Sequence, residues 1–180
     1  MNETAEAIMD AAERRIRAGG YGGFSFRDLA ADVGVKSASV HYHFPTKDML
    51  VAAVARRYND RVVAAVEQEI ATGADAVEAW RKVFRDALAK GAHMCLCGSL
   101  GATAGDLAPD VATEVRRFFD LGVDSLMAGG LPRARAMQAL ALLEGAILMA
   151  SVQGDSAIFD AATAVLADPA MRPGAAIAPS

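Results

Sequence analysis

An all-α fold is what this sequence predicts, and three observations carry the prediction. Apolar residues recur every three or four positions, with no stretch of strand-like alternation. Hydrophobic residues make up 53% of the chain but aromatics only 6%, and alanine is abundant, a mixture that favours closely packed helices over a sheet. Breaks such as Gly19-Gly20-Tyr21-Gly22-Gly23 and Gly129-Gly130-Leu131-Pro132 then cut the chain into segments of helical length, about nine in all. At 180 residues it can hold one mid-sized domain, or a small one fused to a larger.

The first predicted helix covers residues 4–18, with Ile8, Ala11, Ala12 and Ile16 on one side and Glu6, Asp10, Glu13 and Arg17 on the other. After the glycine loop, Phe24 to Met49 reads as two short helices closed by an aromatic latch. Ser25 caps the first, Asp28 stands where an acid favours a helix start, and Phe26, Leu29, Ala30 and Val33 share a face. Gly34 ends that helix, because a left-handed residue costs little only as glycine. The second is predicted over residues 37–43, with Val40 inward. Its outer face offers small residues and hydrogen-bonding tips with no acid among them. Pro45 stops it, Thr46 caps the next helix, and Lys47 is expected to point outward from that helix start.

The pattern is a helix-turn-helix, and its second helix is proportioned to enter the major groove of DNA. Lys36, Ser37, Ser39, His41, Tyr42 and His43 are assigned to DNA contact. Ala38 is placed against a thymine methyl, and Arg27 and Lys47 against phosphates. A net charge of −4 does not oppose this reading, since only the contact face has to attract the polyanion. One reader contacts too little DNA for tight specific binding. Two are therefore expected on a palindrome, with recognition helices about 34 to 36 Å apart.

Further helices are predicted over residues 49–70, 76–89, a short piece within 93–101, 110–128, 133–152 and from 155 to about 167. From residue 168 the Pro, Ala, Gly and Ser composition predicts a disordered tail. The expected domains are a DNA reader over 1–47, an effector-binding and dimerisation body over 48–167, and the tail over 168–180.

Within the body, the expected ligand pocket lies among helices five to eight. Trp80, Phe84, Leu88, Phe118, Phe119 and Met127 supply its apolar wall, joined by Met94, Cys95 and Leu100. His93, Ser99 or Thr103 supply hydrogen bonds, and few charged groups point inward, so the effector is expected to be small and largely apolar or weakly polar. Glu144 is either a polar anchor in the apolar eighth helix or an ordinary paired helix acid.

The eighth and ninth helices are the candidates for a dimer seam. Ala139, Leu142, Leu143, Ala146, Met149 and Ala150 are expected to meet a second copy, with Ile158, Ala161, Ala162 and Val165 completing a four-helix packing. The apolar run 136–154 contains Glu144, Gly145 and Gln153, so it reads as a buried or dimer-forming helix rather than a membrane span. The N-terminal stretch lacks an apolar core with a cleavage site. A cytoplasmic location with reduced thiols is expected.

Cys95 and Cys97 admit four readings: core packing, thiol sensing, metal ligation with His93, and an internal disulfide. Residues two apart on a helix point to opposite sides and no further cysteine is present, which argues against metal. Their closeness argues against a bridge. No metal and no cofactor are expected.

The string GVKSASVHYHFPTKDML resembles the operator-reading segment of TetR-type transcriptional repressors. There a Gly-Val turn leads into a short recognition helix, an aromatic-x-aromatic-Phe ending and a lysine at the next helix. His41 stands where that family usually has tyrosine, and Lys36 where it usually has Ser or Thr. The resemblance implies a homodimeric, non-enzymatic regulator released from a palindromic operator by a small effector. Some such regulators with a comparable cysteine-bearing, glycine-rich segment respond to reactive unsaturated compounds, which implies as an alternative a redox- or electrophile-sensing repressor using Cys95 and Cys97. A thiol-dependent enzyme using either cysteine with His93 is a further alternative, for which no third orienting group is in evidence.

Overall fold

The computed structural model describes residues 3–89 and 94–168, and within them every regular element is helical, as predicted. Nine α-helices follow in order: α1 (Glu3–Gly19), α2 (Phe26–Val33), α3 (Ser37–His43), α4 (Lys47–Ala71), α5 (Ala76–Ala89), α6 (Leu96–Gly101), α7 (Pro109–Ala128), α8 (Arg133–Gln153) and α9 (Ala157–Thr163). Pro109 opens α7, where its missing N–H has no helical partner to lose. His93 of the expected pocket and residues 169–180 of the expected tail lie outside the described residues.

Two compact units make up the chain, one combining Met1–Asp60 with Met94–Arg117 and the other Arg61–His93 with Phe118–Ser180. Within α4 the boundary between these compact units lies between Asp60 and Arg61. Residues 94–117, expected in the effector body, belong to the same unit as the reader.

Polar stitching explains that membership. Arg17 Nε donates to the Met94 carbonyl at 2.6 Å, and Ser99 Oγ donates to the Ile16 carbonyl at 2.8 Å, tying α6 to the end of α1. Asn59, fully buried in α4, donates to the Glu114 carbonyl of α7 at 2.9 Å. The Glu114 carboxylate, itself buried, is paired with Arg56 (2.8 Å) and Arg117 (3.3 Å). Unpaired, such a buried charge would be costly; paired, it selects one packing. Arg57 joins α4 to α1 through Glu6 and Asp10, each at 2.7 Å. Around these bonds Ile8, Ile16, Leu29, Val40, Leu50 and Val54 are fully buried, each contributing about 1.5–3 kcal/mol relative to exposure.

The second unit is held by apolar and aromatic packing. Trp80 of α5 is fully buried, its indole N–H donating to Ser125 Oγ of α7 at 3.0 Å and its ring 6.1 Å from both Phe84 and Phe118. Gly122 lets α7 approach closely: a Cβ there would lie 2.8 Å from Leu140 of α8 and 3.4 Å from the Trp80 ring. Asp160 of α9 receives Arg81 and Arg85 of α5, at 3.4 and 2.8 Å.

By length and composition α8 is apolar enough to cross a membrane, but it packs on α5 and α9 and buries Ala136, Ala139, Leu140, Leu143, Ala146 and Ala150. Of the expected seam, Ala139, Leu143, Ala146 and Ala150 are covered within a single chain. Leu142, Ile158 and Ala162 are half-buried, while Met149, Ala161 and Val165 stay exposed. The face that α8 leaves bare carries Met149 together with Met137, Ala141, Gly145, Leu148 and Val152. Apolar residues ring α8 almost completely, so spacing alone does not say which stripe turns inward.

Candidate nucleic-acid interface

The α2–α3 corner forms as its residue types dictate. Ser25 and Asp28 make a reciprocal capping box, with the Ser25 N–H donating to Asp28 at 2.8 Å and the Asp28 N–H to Ser25 Oγ at 3.3 Å. The Ser25 hydroxyl, donating to the Asp28 carboxylate at 2.7 Å, and the Ser25 N–H beside it hold the Asp28 carboxyl below the usual carboxylate range. Gly34 sits at φ 74°, and the Gly34 and Val35 N–H groups both turn back to the Ala30 carbonyl. Arg15 pins the corner to α1 through Asp32, at 2.5 and 2.8 Å, and this partner lowers the Asp32 pKa.

On α3 only Val40 is fully buried. Lys36, Ser37, Ala38, His41 and Tyr42 are exposed, Tyr42 at 84%, and Ser39 and His43 are half-buried. The His41 ring rests edge-on against Phe26 of α2, with centroids 4.7 Å apart, so its position is set by the neighbouring helix. Lys36 occupies the N-cap, where an ammonium has no lone pair to accept a backbone N–H, so α3 begins without a side-chain cap. Arg27 is exposed on α2. The result is a solvent-facing, acid-free surface of donors and small residues on one short helix.

Lys47 departs from expectation. Its ammonium does not point outward: it donates to the Phe24 carbonyl at 2.6 Å and lies 4.3 Å from the Phe24 ring centroid and 4.7 Å from that of Tyr21. Burial pulls its pKa below the ordinary lysine value. The Tyr21 hydroxyl donates to Asp48, and burial together with that bond pushes the phenol up to about 12.

The residues expected to line a ligand pocket fall into two groups. Trp80, Phe84 and Phe118 are buried in the second unit, with Phe119 and Leu88 half-buried and Met127 exposed beside them in sequence order. Met94, Cys95, Ser99 and Leu100 belong to the first unit, where the Ser99 hydroxyl is engaged by α1. Thr103 donates to the Leu100 carbonyl at 3.3 Å. Cys95 and Cys97 are both fully buried and no disulfide joins them. The Cys95 sulfur accepts from the Gly98 N–H at 3.4 Å and the Tyr58 hydroxyl at 3.6 Å; Cys97 donates to Asn59 Oδ1 at 3.3 Å. Both thiols thus dock α6 on consecutive residues of α4. Sequence reasoning missed Asn59 and Glu114; the available signal was an amide inside an otherwise apolar helical stripe, which needs a tertiary partner.

Taken together, an all-helical chain that presents a capped helix-turn-helix with a bare, acid-free second helix belongs to the class of DNA-binding transcription regulators. Comparison with known proteins specifies it further. Residues 8–54 match the model of the bacterial regulatory proteins of the tetR family. A TetR-family transcriptional regulator from Agrobacterium tumefaciens is 29% identical, with 91% of this chain and 95% of that chain covered and a TM-score of 0.82. A TetR transcriptional regulator from Legionella pneumophila is 28% identical, covering 92% and 96%, with a TM-score of 0.81. The reduced form of NemR from E. coli, 18% identical with 92% and 96% covered and a TM-score of 0.74, shares the fold. No curated protein sequence matches the chain. Residues 8–54 thus match the DNA-reading region of the tetR family, and nearly the whole chain is similar in fold and sequence to TetR-family transcriptional regulators.

Proposed function

We propose that the protein is a homodimeric, non-enzymatic transcriptional repressor of the cytoplasm that binds a palindromic DNA operator and is released by a small, largely apolar or weakly polar effector. The observation that carries this reading is the outer face of α3, where Ser37, Ala38, His41 and Tyr42 stand exposed on a helix fixed by Gly34 and the capping box. Their chemistry suits close approach to a duplex, with Arg27, Lys36 and the half-buried Ser39 and His43 adding contacts. The bare apolar face of α8 and α9 supports pairing of two copies, which would couple two readers. Effector binding releases DNA only if the ligand favours the state in which the readers no longer fit adjacent grooves. An electrophoretic shift assay with genomic fragments tests the proposal. Specific retention at moderate salt is expected, and uniformly weak binding of every fragment would sink it.

The burial and bonding of both cysteines favour a reversible effector over a covalent signal and over thiol catalysis. In the folded protein, Cys95 and Cys97 are expected to resist a bulky aromatic disulfide reagent, followed by absorbance, and to react fully once guanidinium unfolds the chain. Rapid reaction in the folded state would revive the covalent alternative.

A further inference from the structure

We propose that Lys47 is a positioning residue for DNA recognition: its ammonium, seated against Tyr21 and Phe24, closes the helix-turn-helix into a ring and fixes how α3 is presented. The inference rests on the DNA-reading function above, and it replaces the phosphate contact expected of this lysine.

Lys47 is the first residue of α4, where the helix dipole disfavours a positive charge and Asp48 is the residue that suits the position. The helix therefore gives the lysine no reason to be there. The seat does. Both ring centroids lie within the reach of a cation–π contact, and the bond to the Phe24 carbonyl is short and charge-assisted. Phe24 is only 5% exposed and immediately precedes Ser25, the cap of α2. The Lys47–Phe24 bond thus spans 23 positions and joins the start of α2 to the start of α4, enclosing all of α2 and α3. A parallel bond from Tyr21 to Asp48 spans 27 positions. Between these ends α3 begins without a side-chain cap at Lys36, so its placement depends on the α2 corner and on the closed ring.

The test uses the full-length chain and two DNAs: a fragment selected by the wild-type protein from a random-sequence pool, and an unselected fragment of equal length. Lys47→Met keeps the stem and removes the ammonium. Affinity for the selected fragment is expected to fall about tenfold or more, the scale of losing a charge-assisted hydrogen bond. Affinity for the unselected fragment should stay within about twofold, with the slope of log affinity against log salt altered by less than about half a unit. Lys47→Arg should restore selectivity, because a guanidinium also stacks on rings and donates to a carbonyl.

Equal losses on both DNAs, with the slope reduced by about one unit, would identify a phosphate contact and overturn the proposal. Unchanged affinity for the selected fragment would overturn it too. Should Lys47→Met fail to fold, Tyr21→Leu decides the matter, since it opens the seat and keeps the charge. Loss of selectivity with helical content intact supports positioning, and full selectivity refutes it. A wild-type protein that selects no sequence from the pool removes the DNA-reading function itself, a result distinct from either outcome for Lys47.

Discussion

The outer faces of α3 and α8 are both left bare, yet they are opposites in chemistry. On α3 the exposed residues are a lysine cap, a serine, an alanine, a histidine and a tyrosine, each small or carrying a hydrogen-bonding tip. On α8 they include Met137 at 53%, Leu148 at 48%, Met149 at 50% and Val152 at 76%, with Ala141 and Gly145 among them. Water satisfies the first face until another polar surface replaces it. The second is an apolar stripe whose exposure costs about 25 cal/mol per Å², so it gains by being covered. Gly145 meets nothing within 4 Å in the single chain, which leaves room for another backbone to approach. The contrast teaches that exposure alone does not define a site: the side-chain chemistry of the exposed stripe says what would cover it.

The largest expected effect comes from placing a charge on the apolar face. Leu148→Glu should leave the protein monomeric in sedimentation or light scattering where the unaltered chain forms the proposed dimer. Affinity for a palindromic site should fall by about 100-fold or more as the two half-sites become uncoupled. A variant that still dimerises would place the proposed seam elsewhere. On the polar face, Tyr42→Ala should lower specific DNA affinity about tenfold, within the range of a lost base contact. Its melting temperature should not move, because the ring is 84% exposed. A drop in melting temperature matching the loss of affinity would make Tyr42 structural.

Smaller effects probe the corner that sets the α3 face. Gly34→Ala meets no neighbour, so its penalty is the left-handed backbone alone, about 1 kcal/mol, or about 2–4 °C in thermal unfolding. Affinity for DNA should weaken with it. A neutral result would show that the turn adopts another conformation. The smallest effect is in acid. Asp28 and Asp32 have lowered pKa values in the folded state, so their contribution is present above the unfolded value near 3.9. It disappears as pH falls below that value through the folded pKa. Because both pairs are solvent-screened, Asp32→Asn should shift the melting temperature at neutral pH by no more than about 2 °C and flatten part of the acid limb of the stability curve.

Much of this was legible from residue order. Ser25, Asp28, Gly34 and Thr46 act on the backbone within a few positions of themselves, and the helices they begin or end lie where the sequence predicts. The outward direction of Tyr42 and the inward one of Val40 follow from a single apolar residue on a seven-residue helix. Such signals are local, so neighbours in sequence suffice to read them.

Three features were decided only by tertiary packing. The chain turns one apolar stripe of α8 inward and leaves another bare, a choice made by α5 and α9 because α8 is apolar nearly all round. Lys47 turns to Phe24 and Tyr21, partners more than twenty positions away, instead of to solvent. Residues 94–117 join the reader through Arg17, Ser99, Asn59 and Glu114. Each outcome depends on groups brought together across the fold, where burial makes an unmet hydrogen bond costly, and periodicity carries no record of such distant partners.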